Sequence, residues 1–407
     1  MQIFFSVGEP SGDLHGANLI RELRAEHPDW QFVGYGGPKM AEAGCHLHSD
    51  LTQLAVMWVA QVIANYGKFL GLLAAADRYF RDHRPDAVVL IDYPGFNWHI
   101  ARKAKAHGIP VIYYGTPQLW AWASWRVSKM RRFVDHVLCK LPFEEKWFRQ
   151  RGCAATFVGH PYFDELEAQR PDESLLRSLE AGDAPLVTIL PGSRTQEVKS
   201  NLPEFLKTVR LIRQRVPHVR FAVAAFKEKQ RELAQKIIDE SDTEVELFVG
   251  RTPELIQAAR CCLACSGSVS LELLFHTKPT AILYQISRLG YVVQRVFRKV
   301  RYITLVNLLT AKAPFAEHRA GHYDKNEPCD RHVLMPEYLT CGDRTAELAD
   351  HVVEWLTSEE EFDKNRQGLA DLKAHIGHGG ASSRAAEYIS QLLDESEENP
   401  GEIVSAA

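Results

Sequence analysis

The 407-residue sequence lacks the long apolar run of roughly 20 residues that a membrane-spanning helix needs. Its longest uncharged stretch, Leu51–Gly67, is shorter and is interrupted by Gln53, Gln61 and Asn65. The chain also begins with a strand-like segment, Gln2–Val7, where a signal peptide would have basic residues and a longer apolar core. We therefore expect a cytoplasmic protein with no membrane-spanning segment.

Cysteine and net charge are also low. Eight cysteines scattered over this length do not form a disulfide framework, and they suit a reducing compartment. Cys262 and Cys265 form a Cys-x-x-Cys inside an apolar run that predicts a buried strand, and no second pair follows at zinc-finger spacing, so core packing is favoured over a metal site. A net charge of −4 argues against a dedicated nucleic-acid-binding protein.

An alternation of strands and helices occurs twice along the chain. The length alone predicts two domains, because one hydrophobic core seldom serves so long a chain. Residues 1–165 and 186–380 each alternate short apolar strands with helices, which predicts two Rossmann-like, doubly wound α/β domains facing each other across a cleft. Residues 166–185 are expected to be a linker. Residues 381–407 are expected to form a helix and tail that pack on the N-terminal domain or on a partner subunit.

Loops at the carboxyl ends of parallel strands are the usual ligand sites of such sheets. In the first half, Gly8–Asp13 offers Ser11 or Asp13 as a helix N-cap, and it lacks the Gly-x-Gly-x-x-Gly spacing of a nicotinamide site. A second loop places Asp92 at the end of an apolar strand. The pattern is equally compatible with a capping residue and with a catalytic base at this position.

A third loop is rich in tryptophan and is followed by basic residues. Its members are Trp120, Trp122, Trp125, Arg126, Lys129, Arg131 and Arg132. The tryptophans can stack on a sugar or nucleobase, lie at a membrane interface, or pack in a core. A core accounts for one or two of them more readily than for all three.

Two loops of the second half are suited to phosphate. Strand Leu186–Leu190 ends in Pro191–Arg194, where a Gly-Ser turn exposes backbone N–H groups beside an arginine, before a helix predicted at Pro203–Arg215. Alone, this is best explained as an ordinary turn. Because Ser266–Ser268 joins another buried strand to a helix in the equivalent way, the pair favours a nucleotide-diphosphate site, with Glu272 one turn along to contact the ribose.

Two further segments combine apolar and basic character. Val56–Leu73 is apolar on more than one face, which suits either a surface for lipid chains or a doubly buried helix. Ser287–Arg301 is predicted to be a basic amphipathic helix with five bases and no acid. A charged outer face is the commoner explanation of such a helix in general, but the excess of bases weakens it and suits an anionic membrane surface.

Seven ordered motifs carry a family resemblance. They are Gly-Glu-x-Ser-Gly-Asp at 8–13, Ile-Asp-x-Pro-x-Phe-Asn at 91–97, Trp-Ala-Trp at 120–122, Phe-x-Gly-His at 157–160, Leu-Pro-Gly-Ser-Arg at 190–194, Ser-Gly-Ser-x-x-x-Glu at 266–272 and Asn-Leu-Leu at 307–309. The sequence resembles the lipid-A-disaccharide synthases, which are GT-B glycosyltransferases of lipid A and lipopolysaccharide biosynthesis. The resemblance runs from the first strand to about residue 310 and resumes more loosely at Met335-Pro336-Glu337.

The resemblance implies an inverting transfer of 2,3-diacylglucosamine from its UDP derivative to 2,3-diacylglucosamine 1-phosphate, which gives a β-1′,6-linked disaccharide and UDP. Asp92 would be the base, Arg194 and Ser266–Ser268 would stabilise the diphosphate, and Glu272 and Asn307 would hold the ribose and the UDP moiety. Other residues on the matching motifs are expected to bind substrate, namely Glu9, Ser11, Asp13, Trp120, Trp122, His160, Gly192 and Ser193. No cofactor or metal is implied. The family acts at the inner face of the cytoplasmic membrane, and its members can dimerise through C-terminal segments.

The sequence departs from the family pattern at two places. Thr310–Met335 is longer than expected, and its residues His318, His322, Cys329 and His332 match no zinc spacing. Gly95 stands where relatives often carry Asp. Two other functions stay open: a different UDP-sugar glycosyltransferase or epimerase, and a nucleotide-binding scaffold without catalysis.

Overall fold

The computed structural model describes residues 1–55, 66–315, 323–328 and 330–398. Contacts divide the chain into two units, each with its own sheet and core. The first unit comprises Met1–Asp164 together with the C-terminal segment from Gly379, and the second comprises Glu165–His378. The N-terminal ten residues of the predicted Val56–Leu73 segment lie outside the described residues.

The first unit contains a seven-stranded parallel sheet in the order β3-β2-β1-β4-β5-β6-β7. Its strands are β1 (Gln2–Val7), β2 (Gln31–Gly36), β3 (His46–Asp50), β4 (Ala87–Ile91), β5 (Val111–Tyr114), β6 (His136–Cys139) and β7 (Ala155–Phe157). The central strands β4 and β5 are apolar and buried along their whole length, as expected for a parallel sheet covered on both faces. Edge strand β3 was not predicted, because its sequence His-Leu-His-Ser-Asp is mostly polar.

Helices connect these strands. They are α1 (Pro10–Glu26), α2 (Pro38–Glu42), α3 (Thr52–Ala55), α4 (Tyr66–His83), α5 (Pro94–Ala106), α6 (Leu119–Trp122), α7 (Val127–Phe133) and α8 (Pro142–Arg149), and α9 (Tyr162–Ala168) runs into the second unit. Helix α1 begins with Glu9 as its N-cap, so the prediction of Ser11 or Asp13 as the cap is wrong. Pro10 explains the earlier start, because a proline is favoured in the first helical turn.

The second unit contains a six-stranded parallel sheet in the order β10-β9-β8-β11-β12-β13. Its strands are β8 (Leu186–Leu190), β9 (Arg220–Ala225), β10 (Glu246–Val249), β11 (Cys261–Ala264), β12 (Thr280–Gln285) and β13 (Glu337–Thr340). Its helices are α10 (Glu173–Glu180), α11 (Thr195–Arg215), α12 (Glu228–Ser241), α13 (Thr252–Ala258), α14 (Val269–Phe275), α15 (Arg288–Phe297), α16 (Leu305–Thr310), α17 (Thr345–Thr357) and α18 (Glu359–Ile376).

Several boundaries in the second unit differ from prediction. Helix α11 starts at Thr195 because the helix accommodates Pro203 within it. The stretch 166–185, expected to be a linker, contains α10, whose Leu176 and Leu179 are buried and which packs on α13. An amphipathic helix with a buried face therefore makes this stretch part of the second unit.

The last helix, α19 (Ala381–Glu398), packs on α1 in the first unit. Four of its buried apolar residues share a core with β1, β4 and α1; they are Ala385, Ala386, Ile389 and Leu393. The carboxylate of Asp164 accepts hydrogen bonds from the backbone N–H groups of Ala381 (3.0 Å) and Ser382 (2.9 Å), which satisfies the start of α19. The C-terminal helix thereby completes the core of the unit that contains the N-terminus.

Candidate active site

The strand order of each sheet changes direction once, which marks the usual ligand position in this type of fold. In the first unit the reversal lies between β1 and β4, and in the second it lies between β8 and β11. The loops that follow these four strands are the four predicted ones: Gly8–Asp13, the turn at Asp92, Pro191–Arg194 and Ser266–Ser268. The topology therefore places each predicted pair of loops side by side within its own sheet.

Asp92 occupies a strained turn at the end of β4. Asp92 has φ 45° and Tyr93 has φ 44°, so two consecutive non-glycine residues adopt the left-handed conformation. Such residues cost on the order of 1–3 kcal/mol each and persist where neighbours enforce them. Here the Asp92 carbonyl accepts hydrogen bonds from Tyr113 Oη (2.6 Å) and from Asn97 Nδ2 (2.8 Å). The Asn97 Oδ1 in turn accepts a 2.7 Å hydrogen bond from Ser6 Oγ on β1.

The turn also fits closely against the first loop. The Tyr93 ring lies so near Gly8 that a Cβ at Gly8 would collide with it. Glycine at position 8 therefore allows the two loops to approach each other. The fit fixes where the Asp92 backbone lies relative to the end of β1.

The Asp92 carboxylate has a lysine partner that sequence reasoning missed. Lys140 Nζ lies 3.1 Å from Asp92 Oδ1, and the two side chains are only 16% and 19% exposed. Burial lowers the pKa of the Lys140 ammonium, but the charges of Asp92, Glu144 and Glu9 outweigh this and raise it above the ordinary lysine value. A signal existed, because Lys140 directly follows β6 at the same carboxyl edge of the sheet.

The three tryptophans have three different environments. Trp120 is buried, and its Nε1 donates a 2.9 Å hydrogen bond to Glu144 Oε1. Trp122 is half-buried, whereas Trp125 is 62% exposed with the Arg126 guanidinium over its ring. A core thus accounts for Trp120, and Trp122 stays a predicted substrate contact.

The first loop divides into exposed and buried residues. Glu9 and Ser11 are exposed, and both remain predicted substrate contacts. Asp13 is buried, and its carboxylate accepts hydrogen bonds from the backbone N–H groups of Gly37, Lys39 and Met40 at the start of α2. These bonds assign the Asp13 carboxylate a structural role, because it is already used within the protein.

His160 follows β7 and is electrically neutral. Burial holds its pKa well below the ordinary value, and the nearby charges of Lys140 and His15 lower it further. Its Nδ1 accepts a 3.2 Å hydrogen bond from the backbone N–H of Tyr162, so the proton of the neutral ring is on Nε2. His160 can therefore donate a hydrogen bond from Nε2 to an uncharged or anionic group.

The first loop of the second unit presents Arg194 to solvent. Gly192 has φ 121°, and a Cβ there would collide with Glu197, so this turn requires glycine. Glu197 accepts a 3.1 Å hydrogen bond from the Arg194 backbone N–H and forms a 3.0 Å ion pair with its Nη1. The Arg194 side chain is nevertheless 81% exposed. The loop therefore has a fixed backbone and a charged fork that remains accessible to an anion.

The second loop, Ser266–Ser268, is the neighbouring candidate. Ser266 Oγ donates a 3.3 Å hydrogen bond to the Ile303 carbonyl, while Gly267 and Ser268 are exposed. A Cβ at Gly267 would meet no atom within 4 Å, so this glycine leaves room for a ligand. Glu272 is buried one turn along, and its predicted contact with a ribose stays a prediction.

The predicted contact of Asn307 with UDP does not agree with its surroundings. Asn307 is fully buried, and its Nδ2 donates to the Met335 carbonyl (2.7 Å) and to Glu337 Oε2 (3.0 Å). Its Oδ1 accepts a 3.1 Å hydrogen bond from the Met335 backbone N–H. These hydrogen bonds join α16 to the start of β13. They use both amide protons of Asn307, so the side chain has no proton left to donate to a nucleotide.

Comparison with known proteins identifies the family. A family model described as lipid-A-disaccharide synthetase matches residues 3–365. The lipid-A-disaccharide synthase of Myxococcus xanthus (strain DK1622) is 32% identical over 395 residues, which cover 96% of this chain and 97% of the relative. The chain belongs to the lipid-A-disaccharide synthase family. The expected resemblance, the enzyme class and the role as a glycosyltransferase of lipid A biosynthesis are thereby confirmed.

Solved structures agree on the fold of this synthase-family chain. The UDP-GlcNAc 2-epimerase from Neisseria meningitidis bound to UDP-GlcNAc has a TM-score of 0.61 at 13% identity, over 96% of this chain and 100% of that chain. The glycosyltransferase of kitacinnamycin has a TM-score of 0.56 at 15% identity, over 96% and 98%. The predicted α/β class with two Rossmann-like domains, the GT-B class, is confirmed.

Neither a membrane-spanning helix nor a metal-binding cluster occurs in the described residues. Within residues 1–55, 66–315, 323–328 and 330–398, no helix is long and apolar enough to cross a membrane. In the same residues no group of three or more His, Cys, Asp or Glu side chains is arranged to hold a metal ion. His318, His322 and Cys329 lie outside them.

Helix α15 is shorter than the predicted Ser287–Arg301 and has an exposed apolar face. The exposed residues of this face are Leu289, Val292, Val293, Val296 and Phe297. Two of the five expected surface bases, Arg298 and Arg301, are buried. Arg301 is in an ion pair with Asp330 at 2.9 Å, which is why it does not contribute to the surface charge.

Proposed function

We propose that the chain transfers 2,3-diacylglucosamine from UDP-2,3-diacylglucosamine to the 6-hydroxyl of 2,3-diacylglucosamine 1-phosphate. The products are the β-1′,6-linked disaccharide 1-phosphate and UDP. Family membership over almost the whole chain is the observation that carries the proposal. The solved structure with UDP-GlcNAc supports a UDP-sugar donor for the same fold.

Asp92 is the proposed general base. Its carbonyl is held by two hydrogen bonds and its Oδ1 by Lys140, and within the described residues nothing is hydrogen-bonded to Oδ2. As the acceptor oxygen attacks the donor's anomeric carbon, Oδ2 takes the hydroxyl proton. The bond from that carbon to the diphosphate breaks, and its electron pair leaves with UDP. A single displacement inverts the anomeric centre.

The second unit is proposed to stabilise the leaving diphosphate. Arg194 offers a planar, permanently charged donor fork, and Gly192 and Ser193 offer backbone N–H groups beside it. Ser266–Ser268 supplies further donors from the adjacent strand end. Charge that develops on a leaving group is strongly stabilised by donors already in place, so we expect neither a metal nor a cofactor to be needed.

The remaining predicted substrate contacts differ in how accessible their side chains are. Exposed Glu9 and Ser11 and half-buried Trp122 are accessible to an acceptor, and the Nε2–H of His160 is a suitable donor. Glu272 is proposed to contact the ribose if the donor displaces its present partners. Asp13, Trp120 and Asn307 are proposed to act only by shaping the site, because their polar atoms bond within the protein.

We also propose a peripheral position on the inner face of the cytoplasmic membrane. The apolar face of α15 includes Leu289, which is 75% exposed, and Arg288 and Arg295 lie on the same helix. An amphipathic helix of this composition favours an anionic lipid surface. A homodimer, expected from related proteins, stays a prediction that light scattering in solution would test.

The deciding experiment is turnover of both substrates in the presence of EDTA by wild type, Asp92→Ala and Asp92→Asn. Disaccharide and UDP from wild type alone would support the substrates, the base and metal independence together. UDP binding without turnover by wild type would overturn the acceptor assignment. Full turnover by both Asp92 variants would overturn the base assignment and leave the substrates standing.

A further inference from the structure

Lys140 contacts the proposed base, although no motif of the family resemblance includes it. Its Nζ donates a 3.1 Å hydrogen bond to Asp92 Oδ1. Among the described residues, no other lysine or arginine forms an ion pair with Asp92. The two residues are brought together by the ends of β4 and β6, which are separated in the sheet by β5.

Both ends of the lysine are fixed. Its backbone N–H donates a 3.0 Å hydrogen bond to Glu144 Oε2, and Glu144 Oε1 accepts the 2.9 Å hydrogen bond of the Trp120 indole. Its side chain lies against Gly115, where an added Cβ would be 3.3 Å from Nζ and 3.5 Å from Cδ and Cε. A lysine held in this way has few alternative conformations. It is therefore suited to orient the group that it contacts.

The charge of Lys140 is also needed locally. Three carboxylates, Glu9, Asp92 and Glu144, attract its ammonium, and the Asp92 and Lys140 side chains are largely buried. Removing one charge of a largely buried ion pair leaves the other charge without its partner. Of the three carboxylates, only Asp92 forms an ion pair with Nζ among the described residues.

We propose that Lys140 is a positioning residue of the acceptor site, which holds Asp92 Oδ1 so that the ionised carboxylate presents Oδ2 to the acceptor hydroxyl. This inference rests on the proposed function, in which Asp92 is the base. It also gives Trp120 a role, because the indole fixes Glu144 and Glu144 fixes the backbone of Lys140. Neither Lys140 nor Trp120 needs to touch the substrate.

The test compares Lys140→Met, Lys140→Arg and Lys140→Gln with Lys103→Met as the matched control. Lys103 forms a 2.8 Å ion pair with Asp77 in the same unit, with both side chains 35% exposed, so its removal breaks a lysine–aspartate pair away from Asp92. Steady-state kcat and KM for both substrates are measured, and circular dichroism checks folding. Lys140→Met is expected to lower kcat about 10- to 100-fold with each KM within about 2-fold, because misplacing a base slows chemistry more than binding. Lys140→Arg should recover part of kcat, and Lys103→Met should match wild type.

A double variant separates positioning from substrate binding. Adding Lys140→Met to Asp92→Asn should cause no further loss of kcat, because the lysine acts through the carboxylate. If the two single-variant losses of kcat multiply in the double variant, or if Lys140→Met raises the acceptor KM with kcat unchanged, Lys140 acts independently of Asp92 on the acceptor. Either result would overturn the proposal. If Lys140→Met does not fold, Lys140→Gln decides, and a wild-type kcat in a folded Gln variant sinks the idea. A wild-type kcat in Asp92→Asn would instead indicate that the proposed base is wrong.

Discussion

The hydroxyl of Tyr113 donates a 2.6 Å hydrogen bond to the backbone carbonyl of Asp92, from one strand end to the neighbouring one. Burial, helped by the charge of Asp92, holds the pKa of Tyr113 well above its ordinary value, so the hydroxyl keeps its proton. The bond stabilises a backbone conformation that a non-glycine residue otherwise avoids.

Replacing Tyr113 by Phe should therefore loosen the Asp92 turn. We expect a loss of about 1 kcal/mol in the free energy of unfolding, the typical worth of one hydrogen bond. We expect kcat to fall about 10-fold because a displaced catalytic group reacts slowly. Tyr114→Phe is the control, since Tyr114 is the next residue on β5, is equally buried and has no hydrogen bond to Asp92. Equal kcat values in the two variants would contradict the interpretation.

Alanine substitutions at Gly8 and Gly95 are expected to have opposite effects on stability. An alanine at Gly8 would push its methyl group into the Tyr93 ring, and overpacking of this kind costs about 1–3 kcal/mol. An alanine at Gly95 would meet no atom within 4 Å and stands in the first turn of α5, so stability should be unchanged or slightly higher. Urea unfolding and turnover measure both effects. A fully active, stable Gly8→Ala would show that the two loops need not fit closely.

Arg194→Ala should abolish most turnover while leaving the fold intact. Arg194 pairs with Glu197 at the start of one helix through a side chain that is 81% exposed, and ion pairs of exposed side chains contribute at most about 1 kcal/mol to stability. Loss of a donor to a developing anion should lower kcat about 100- to 1,000-fold and weaken UDP binding in calorimetry. Arg231→Ala removes a similar i,i+3 pair, with Glu228, elsewhere in the second unit and should behave as wild type. Equal UDP affinity in the two variants would remove Arg194 from the site.

The second unit should lose stability as the pH falls below about 6.5. Burial lowers the pKa of His351 to about 4, so the folded state keeps the ring neutral where the unfolded chain takes up a proton. The free energy of unfolding is therefore unaffected by this group above pH 6.5, the His351 pKa in the unfolded chain. As the pH falls from 6.5 towards about 4, the pKa in the folded state, it decreases by about 1.4 kcal/mol per pH unit. His351→Gln should reduce this slope, measured by urea unfolding between pH 7 and about 4.5. The exposed His375→Gln is the control, and an unchanged slope in His351→Gln would refute the assignment.

Membrane binding should depend on the apolar face of α15. Burial of one large apolar side chain is worth about 1.5–3 kcal/mol, so Leu289→Ser with Val293→Ser should weaken binding to phosphatidylglycerol vesicles at least about 10-fold. Phe226→Ser removes an exposed aromatic side chain outside α15 and should leave binding unchanged. Binding is measured by cosedimentation with the vesicles at low and at high salt. Equal loss in the two variants would mean that α15 is not the contact.

The sequence by itself determined the two parallel sheets and the loops at their carboxyl ends. Apolar strands alternating with helices can bury their residues in few other ways, so the positions of Asp92, Arg194 and Ser266–Ser268 at strand ends follow from local pattern. The short strands β3 and β13 were not predicted, because their apolar residues do not form a recognisable strand pattern. Strand β3 is an edge strand, and β13 begins with the buried Glu337, whose carboxylate accepts backbone N–H groups.

Only the tertiary structure decided which polar side chains remain available to a ligand. Asp13, Trp120 and Asn307 are residue types that often bind ligands, yet the polar atoms of each are hydrogen-bonded to residues distant in the chain. The pairing of Lys140 with Asp92 likewise depends on strand order. Hydrogen bonds and ion pairs between distant residues are fixed by how elements pack, and a local sequence pattern contains no record of that packing.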